Sequence, residues 1–260
     1  MKEWNFPTGE YGVIVNDQLT INWDWTKEKD VFKICTQINA LSEKYPHEVI
    51  TLNAPYLPYS RQDKMFNIGE SVSFGLLINL LANSCIVKDQ LIIGTLSIHN
   101  LTAYNFYCKY FNIRIARNFL YNLEDIIKDN SANIVFPDVH AYDHFNHGNN
   151  NNFYNNRYYC KKIRGEMGKI INYECDTIKD VTLPTYIMDD ICDGGATFIK
   201  CAEALKAQGV KDIRLFVYHG FFTKGLDALF KADIKEIYTT NSVCRIEHPN
   251  LHIIGRDCYV

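Results

Sequence analysis

The stretch from Tyr186 to Lys200, YIMDDICDGGATFIK, restricts the fold of this chain more than any other part of it. Tyr186 to Met188 reads as an apolar strand that delivers Asp189 and Asp190 to its C-terminal end. Asp193, Gly194 and Gly195 then supply a turn. A helix follows over 196–207, with Thr197 in its first turn and Gly209 just past its end. A strand that passes through a glycine turn into a helix belongs in an α/β sheet.

The same alternation runs along the rest of the chain. Val31, Ile34, Ile38 and Leu41 recur at helical spacing and predict a helix over 27–44. Further helices are expected at 71–83, 100–110, 123–129 and 225–231, the first burying Leu76, Leu77, Leu80 and Leu81. Strands are expected at 49–52, 91–98, 133–136, 157–161, 213–218 and 236–240. Residues 11–23 alternate around Asn16-Asp17 and predict a β-hairpin. The polar run 146–156, NHGNNNNFYNN, reads as a mobile surface loop. Strands alternating with helices predict parallel sheets with right-handed crossovers. We expect two α/β domains, 1–115 and 116–260, without a long linker.

Composition narrows the function. With 47% hydrophobic residues among 260, a packed core is expected. A formal net charge of −3 gives no footprint for nucleic acid or an acidic membrane, so an anionic substrate must be held by local groups. The apolar stretches are too short to span a bilayer. Nine cysteines without a CxxC pair argue against a disulfide framework or a structural zinc, and favour the reduced thiols of a cytosol. The N-terminal MKEWNFPTGE is neither a signal nor a transit peptide, which predicts a cytoplasmic location.

The glycine turn carries a clear chemical logic. Glycines let backbone N–H groups turn toward an anion, and a helix N-terminus adds positive potential. Thr197 can offer a hydroxyl to phosphate. Asp189 and Asp190 can grip sugar hydroxyls or magnesium. Open α/β sheets bind ligands at this edge. A bare acidic pair or glycine pair would be an ordinary solvated corner; the full ordered string favours a site.

The string DDICDGGAT resembles the loop that binds phosphoribosyl pyrophosphate (PRPP) in type I phosphoribosyltransferases and ribose-phosphate pyrophosphokinases. Other segments are similar to the pyrophosphokinases alone. YSRQDK, residues 59–64, resembles their ATP-contacting segment, and FPTGE, residues 6–10, their short adenine-packing loop. LSIHN, residues 96–100, falls where they carry a strand ending in a metal-linked histidine. Pro137-Asp138 matches a metal-binding aspartate, and Lys162-Ile163-Arg164 the K-x-R of a catalytic loop. KEIYTTNSV, residues 235–243, resembles a late strand and loop. The matches run in the family's order.

This resemblance implies two phosphoribosyltransferase-type domains, with the N-terminal unit shortened. It implies magnesium-dependent transfer of diphosphate from ATP to the anomeric hydroxyl of ribose 5-phosphate, releasing AMP, and a homo-oligomer. Phe6, Glu10, Arg61, Gln62 and Asp63 would contact ATP. Asp189, Asp190, Asp193, Gly194, Gly195, Ala196 and Thr197 would hold the sugar phosphate. His99 and Asp138 would serve the metal. Lys162, Arg164 and His99 would be catalytic, the two cations neutralising charge on the migrating group. Taken singly, each has a plainer reading: Phe6 as core, Arg61, Lys162 and Arg164 as surface charges, His99 as a structural histidine, Asp138 as a helix cap.

Some residues depart from the family's pattern. Ser97 stands where an acid is usual, and His140-Ala141 where a glycine pair follows Pro-Asp. The loop is close to D-T-x-G-T in the family, but Gly194 replaces its first threonine and Ala196 its later glycine. A hydroxyl donor is lost and space is expected to open, which suits a phosphodiester better than a terminal monoester. ADP-ribose is therefore an alternative acceptor, as in a phage branch of the family that rebuilds NAD, and His140, His144 and His147 would then lie near the added adenylate. Two further readings compete: a phosphoribosyltransferase that consumes PRPP, and a non-catalytic relative acting as a regulatory subunit.

Overall fold

The computed structural model describes residues 1–111, 114–116, 132–146, 156–164 and 170–254. The chain divides into two compact units, 1–120 with 258–260, and 121–257.

The first unit opens with two antiparallel strands, β1 (Lys2–Asn5) and β2 (Tyr11–Ile14). FPTGE makes the turn between them: Phe6 N–H donates to Glu10 O and Gly9 N–H to Phe6 O, both at 2.8 Å. Gly9 has φ +92°, a conformation that costs glycine nothing. The hairpin expected around Asn16-Asp17 does not form. There the Asp17 carboxylate accepts from Lys44 Nζ and Tyr45 Oη. The chain then enters β3 (Thr20–Asn22), which pairs in parallel with β4 (Ile50–Asn53) and buries Ile21. Burial against a parallel neighbour wins over a local turn.

β3, β4, β5 (Leu91–Gly94) and β6 (Arg114–Ala116) lie in chain order in one parallel sheet. Helix α1 (Val31–Lys44) starts at Asp30, whose carboxylate accepts from the N–H groups of Phe32 and Lys33. Its buried stripe is Ile34, Ile38 and Leu41. Helix α2 (Ser73–Asn83) buries Phe74, Leu77, Ile78 and Leu81, whereas Leu76 and Leu80 are 53% and 46% exposed. The expectation for those two leucines fails because at 100° per residue a 74-77-78-81 stripe turns them outward. Helix α3 (Leu101–Tyr110) follows β5. The strand expected over 91–98 ends at Gly94, although Leu96 and Ile98 remain buried.

The second unit is a seven-stranded sheet. Its strands are β7 (Asn133–Phe136), β8 (Arg157–Arg164), β9 (Ile170–Cys175), β10 (Thr185–Cys192), β11 (Ile213–Gly220), β12 (Ile234–Thr240) and β13 (Leu251–Ile254). They lie in the order β13-β12-β11-β10-β7-β8-β9. All pairings are parallel except β8 with β9. Helices α4 (Val139–Asn146), α5 (Ala196–Ala207) and α6 (Asp227–Lys231) connect them. α5 matches its expected bounds. It stops at Gly209, φ +93°, with Gly209 N–H bonded to Lys206 O and Val210 N–H to Leu205 O. Sequence periodicity misses β9 and β13, the two edge strands of this sheet.

Among the described residues, no helix is long and apolar enough to cross a membrane. The expected helix at 123–129 and most of the polar run at 146–156 lie outside the described residues, as does His147.

Candidate active site

The sheet order of the second unit reverses between β7 and β10. β7 has β8 on its outer side, β10 has β11, and the connections leave in opposite directions. Such a switch point opens a crevice at the C-terminal ends of the two strands. Pro137-Asp138 follows β7 directly, and Asp189 and Asp190 lie near the end of β10. Three acids predicted from separate segments therefore meet at one edge.

Their environment is electrostatically tense. Burial raises the Asp189 carboxyl well above the ordinary range, and the charges of Asp190 and Asp138 push it further the same way. Asp190 is 5% exposed. The Asp189 Oδ1 accepts from Asp190 N–H at 2.9 Å, and Asp138 Oδ1 accepts from Ala141 N–H at 3.0 Å. Asp138 thus caps α4, the plainer role foreseen for it, while its charge still reaches the acid pair. A divalent cation or the hydroxyls of a sugar would relieve this repulsion. The donor set suits magnesium, which needs only one or two carboxylates and completes its shell with water and phosphate. Among the described residues, the one group of three potential ligands with donor atoms within 4.8 Å of each other is a cysteine trio, not these acids.

The turn after β10 has the backbone geometry that an anion cradle needs. Gly195 has φ +79°, and a Cβ there would also meet Leu229 Cδ2 at 3.0 Å. α5 begins at Ala196, so the N–H groups of Ala196 and Thr197 have no helical carbonyl behind them. A second loop braces the turn. Thr223 Oγ1 donates to Asp193 Oδ1 at 2.6 Å, and Thr223 N–H to Asp193 O at 3.0 Å. The space expected beside Gly194 is filled: a Cβ there would meet Lys224 Cδ and Cε, both at 3.3 Å. That part of the phosphodiester argument is corrected, since a lysine stem occupies the room that the missing threonine leaves.

Sequence reasoning missed Thr223, Lys224 and a buried polar group under the same edge. His219, at the end of β11, bonds through Nδ1 to Ser242 Oγ at 2.8 Å, and Thr240 Oγ1 donates to Tyr218 O at 2.7 Å. The signal was present for the histidine, which follows the apolar run Leu215 to Tyr218. Lys162 and Arg164 lie on β8, paired across the ladder with Tyr173 and Ile170 of β9; their side chains lie outside the described ones.

In the first unit, YSRQDK and LSIHN come together. Asn100 Oδ1 caps α3 by accepting from Ala103 N–H at 3.1 Å, while its Nδ2 donates to Asp63 Oδ2. Tyr59 has φ 61°, rare for a bulky residue, and rests edge-on against Trp25 with ring centroids 5.7 Å apart. Gln62 O receives Phe74 N–H at the start of α2. A held, strained turn of this kind is a common mark of a binding segment. Arg61, Gln62 and His99 are exposed; Phe6 is 49% exposed on the FPTGE turn, with Glu10, so it is not core.

No family model matches the chain. Curated relatives do. The ribose-phosphate pyrophosphokinase of Mycoplasmopsis pulmonis is 29% identical over 77% of this chain and 61% of its own length. That of Methanopyrus kandleri is 26% identical over 94% of this chain and 84% of its own. That of Methanosarcina acetivorans is 26% identical over 93% and 83%.

This chain is similar to the ribose-phosphate pyrophosphokinases.

The crystal structure of phosphoribosylpyrophosphate synthetase from Mycobacterium smegmatis superposes with a TM-score of 0.71 at 19% identity, covering 97% of this chain and 85% of that one. The expected α/β fold of parallel sheets flanked by helices is therefore the pyrophosphokinase fold.

Proposed function

We propose that this pyrophosphokinase relative transfers the β,γ-diphosphate of ATP to the anomeric hydroxyl of a 5-phosphorylated ribose, releasing AMP. The observation that carries the reading is the pairing, at one switch point, of an acid pair suited to ribose hydroxyls with a glycine cradle suited to phosphate. The relatives, named as ribose-phosphate pyrophosphokinases, agree with it.

The anomeric oxygen bonds to the β-phosphorus as the bond from that phosphorus to the α,β-bridging oxygen breaks. Asp189 and Asp190 accept the ribose hydroxyls and fix the sugar. The loop from Asp193 to Thr197 holds the 5′-phosphate, and Lys224 adds a cation beside it. Phe6 and Glu10 face adenine, and Arg61, Gln62 and Asp63 bind ATP. Lys162 and Arg164 neutralise the charge that spreads over the migrating group. His99 and Asp138 would hold magnesium, which when bound screens the ATP phosphates. Positioning supplies most of the rate. The ATP site lies at a subunit contact of a homo-oligomer in this reading, and the enzyme works in the cytoplasm.

The acceptor is ribose 5-phosphate or ADP-ribose. Loss of the threonine hydroxyl at Gly194 favours the diester, which carries less charge and needs fewer donors. Offering each acceptor to the native protein and to Gly194→Thr tests this. On the ADP-ribose reading, the substitution shifts kcat/KM toward ribose 5-phosphate. A native protein that uses ribose 5-phosphate alone, with no shift on substitution, removes ADP-ribose.

A further inference from the structure

Cys160 and Cys175 are direct partners across the β8–β9 ladder and are joined by a disulfide. The expectation that all thiols are reduced is thereby corrected for this pair. A third sulfur, that of the buried Cys201 on α5, lies 3.3 Å from Cys160 Sγ. Only two positions up the ladder is the pair Lys162–Tyr173, and beyond it Arg164–Ile170. β9 is an edge strand of its sheet, with β8 as its one strand partner. The 15-residue separation of the two cysteines encloses both proposed catalytic cations.

We propose that Cys160–Cys175 is a reversible redox staple that sets how firmly the strand pair carrying Lys162 and Arg164 is held. The proposal rests, for its effect on turnover, on the reading of those two residues as catalytic. Cys160 is fully buried, but Cys175 is half-buried and lines a cavity with Tyr173, Thr197, Lys200 and Gln208. That cavity is the route for a small thiol. In reduction, one thiolate of a dithiol attacks Cys175 Sγ, the Cys160–Cys175 bond breaks, and Cys160 leaves as thiolate and takes a proton. The second thiol of the reagent then displaces Cys175, so the protein gains two electrons and two protons and the dithiol becomes a cyclic disulfide. In oxidation, a low-molecular-weight disulfide accepts the two electrons and leaves as two thiols. Disulfides in cytosolic proteins are typically of this transient kind. Cys201 is the alternative partner of Cys160. Burial pushes its thiol well above the usual range, which keeps it from competing as a nucleophile while Cys175 is present.

The staple acts by pre-organisation. With it closed, β9 is tied to β8 by a covalent bond as well as the ladder. With it open, the edge strand frays and the β8 backbone at Lys162 and Arg164 is held by the ladder alone.

The test uses the full chain after treatment with oxidised glutathione or with dithiothreitol. Peptide mass spectrometry under non-reducing conditions reads the linkage, brief trypsin treatment reads cleavage after Lys161, Lys162 and Arg164, and AMP release reads turnover. We expect a Cys160–Cys175 linked peptide only in the oxidised sample. Cleavage should be several-fold slower there, and kcat several-fold higher with KM little changed. Cys175→Ser should give the reduced values under both treatments; Cys175→Ala serves if the serine disturbs folding. Failure of the native linkage to form, equal trypsin rates in the two samples, or a Cys175→Ser protein that still responds overturns the staple. The expected linkage and protection without AMP release under any condition supports the staple and sinks the diphosphotransfer reading instead.

Discussion

In the proposed transfer Asp190 and Lys162 carry the chemistry. Asp190→Ala removes a repelling charge from a crowded carboxylate group, so the fold should survive while turnover falls by orders of magnitude. Lys162→Ala should do the same through lost charge neutralisation. Steady-state AMP release with circular dichroism on the same samples checks both; near-normal rates in either variant exclude that residue from the site. Asn100 is a positioning residue, since one side chain caps α3 and holds Asp63. Asn100→Ala should cost about 0.5–2 kcal/mol through the cap. It should also raise the KM for ATP more than that for the acceptor, whereas a purely structural role would leave both KM values alone.

Helix α5 and the turn before it were legible in the sequence because three signals agreed there: apolar spacing, a glycine turn and a terminal glycine. Leu205, fully buried in the core of the second unit, anchors the helix. Leu205→Ala should lower stability by about 2–5 kcal/mol, read by urea denaturation. Gly195→Ala meets both a positive φ and the Leu229 side chain, and should impair sugar-phosphate binding more than it lowers stability. Elsewhere local pattern misled. Residues 11–23 alternate like a hairpin, yet a parallel partner 31 residues on claims Thr20–Asn22. No window of sequence contains that partner. Thr223 and Lys224 were invisible for the same reason: the loop from 221 to 225 reaches Asp193 and Gly194 only once β10 and β11 are side by side.

At the scale of the molecule, the two units use the same α/β logic to different ends. The first has its parallel strands in chain order; the second reverses order between β7 and β10, the arrangement at which open α/β sheets bind their ligands. The motifs announced an acid group and a phosphate cradle, but the reversal that joins them is a property of the sheet. The fold is that of the pyrophosphokinases, and the function proposed for it is a transfer of two phosphoryl groups in one step. Removal of magnesium by chelation should abolish that transfer, and readdition should restore it. The most direct test is the stoichiometry of one reaction, with ATP, magnesium and both candidate acceptors present, followed by mass spectrometry. The account predicts one AMP for each acceptor molecule that gains a diphosphate. ADP in place of AMP, or AMP without any acceptor gaining mass, would contradict it.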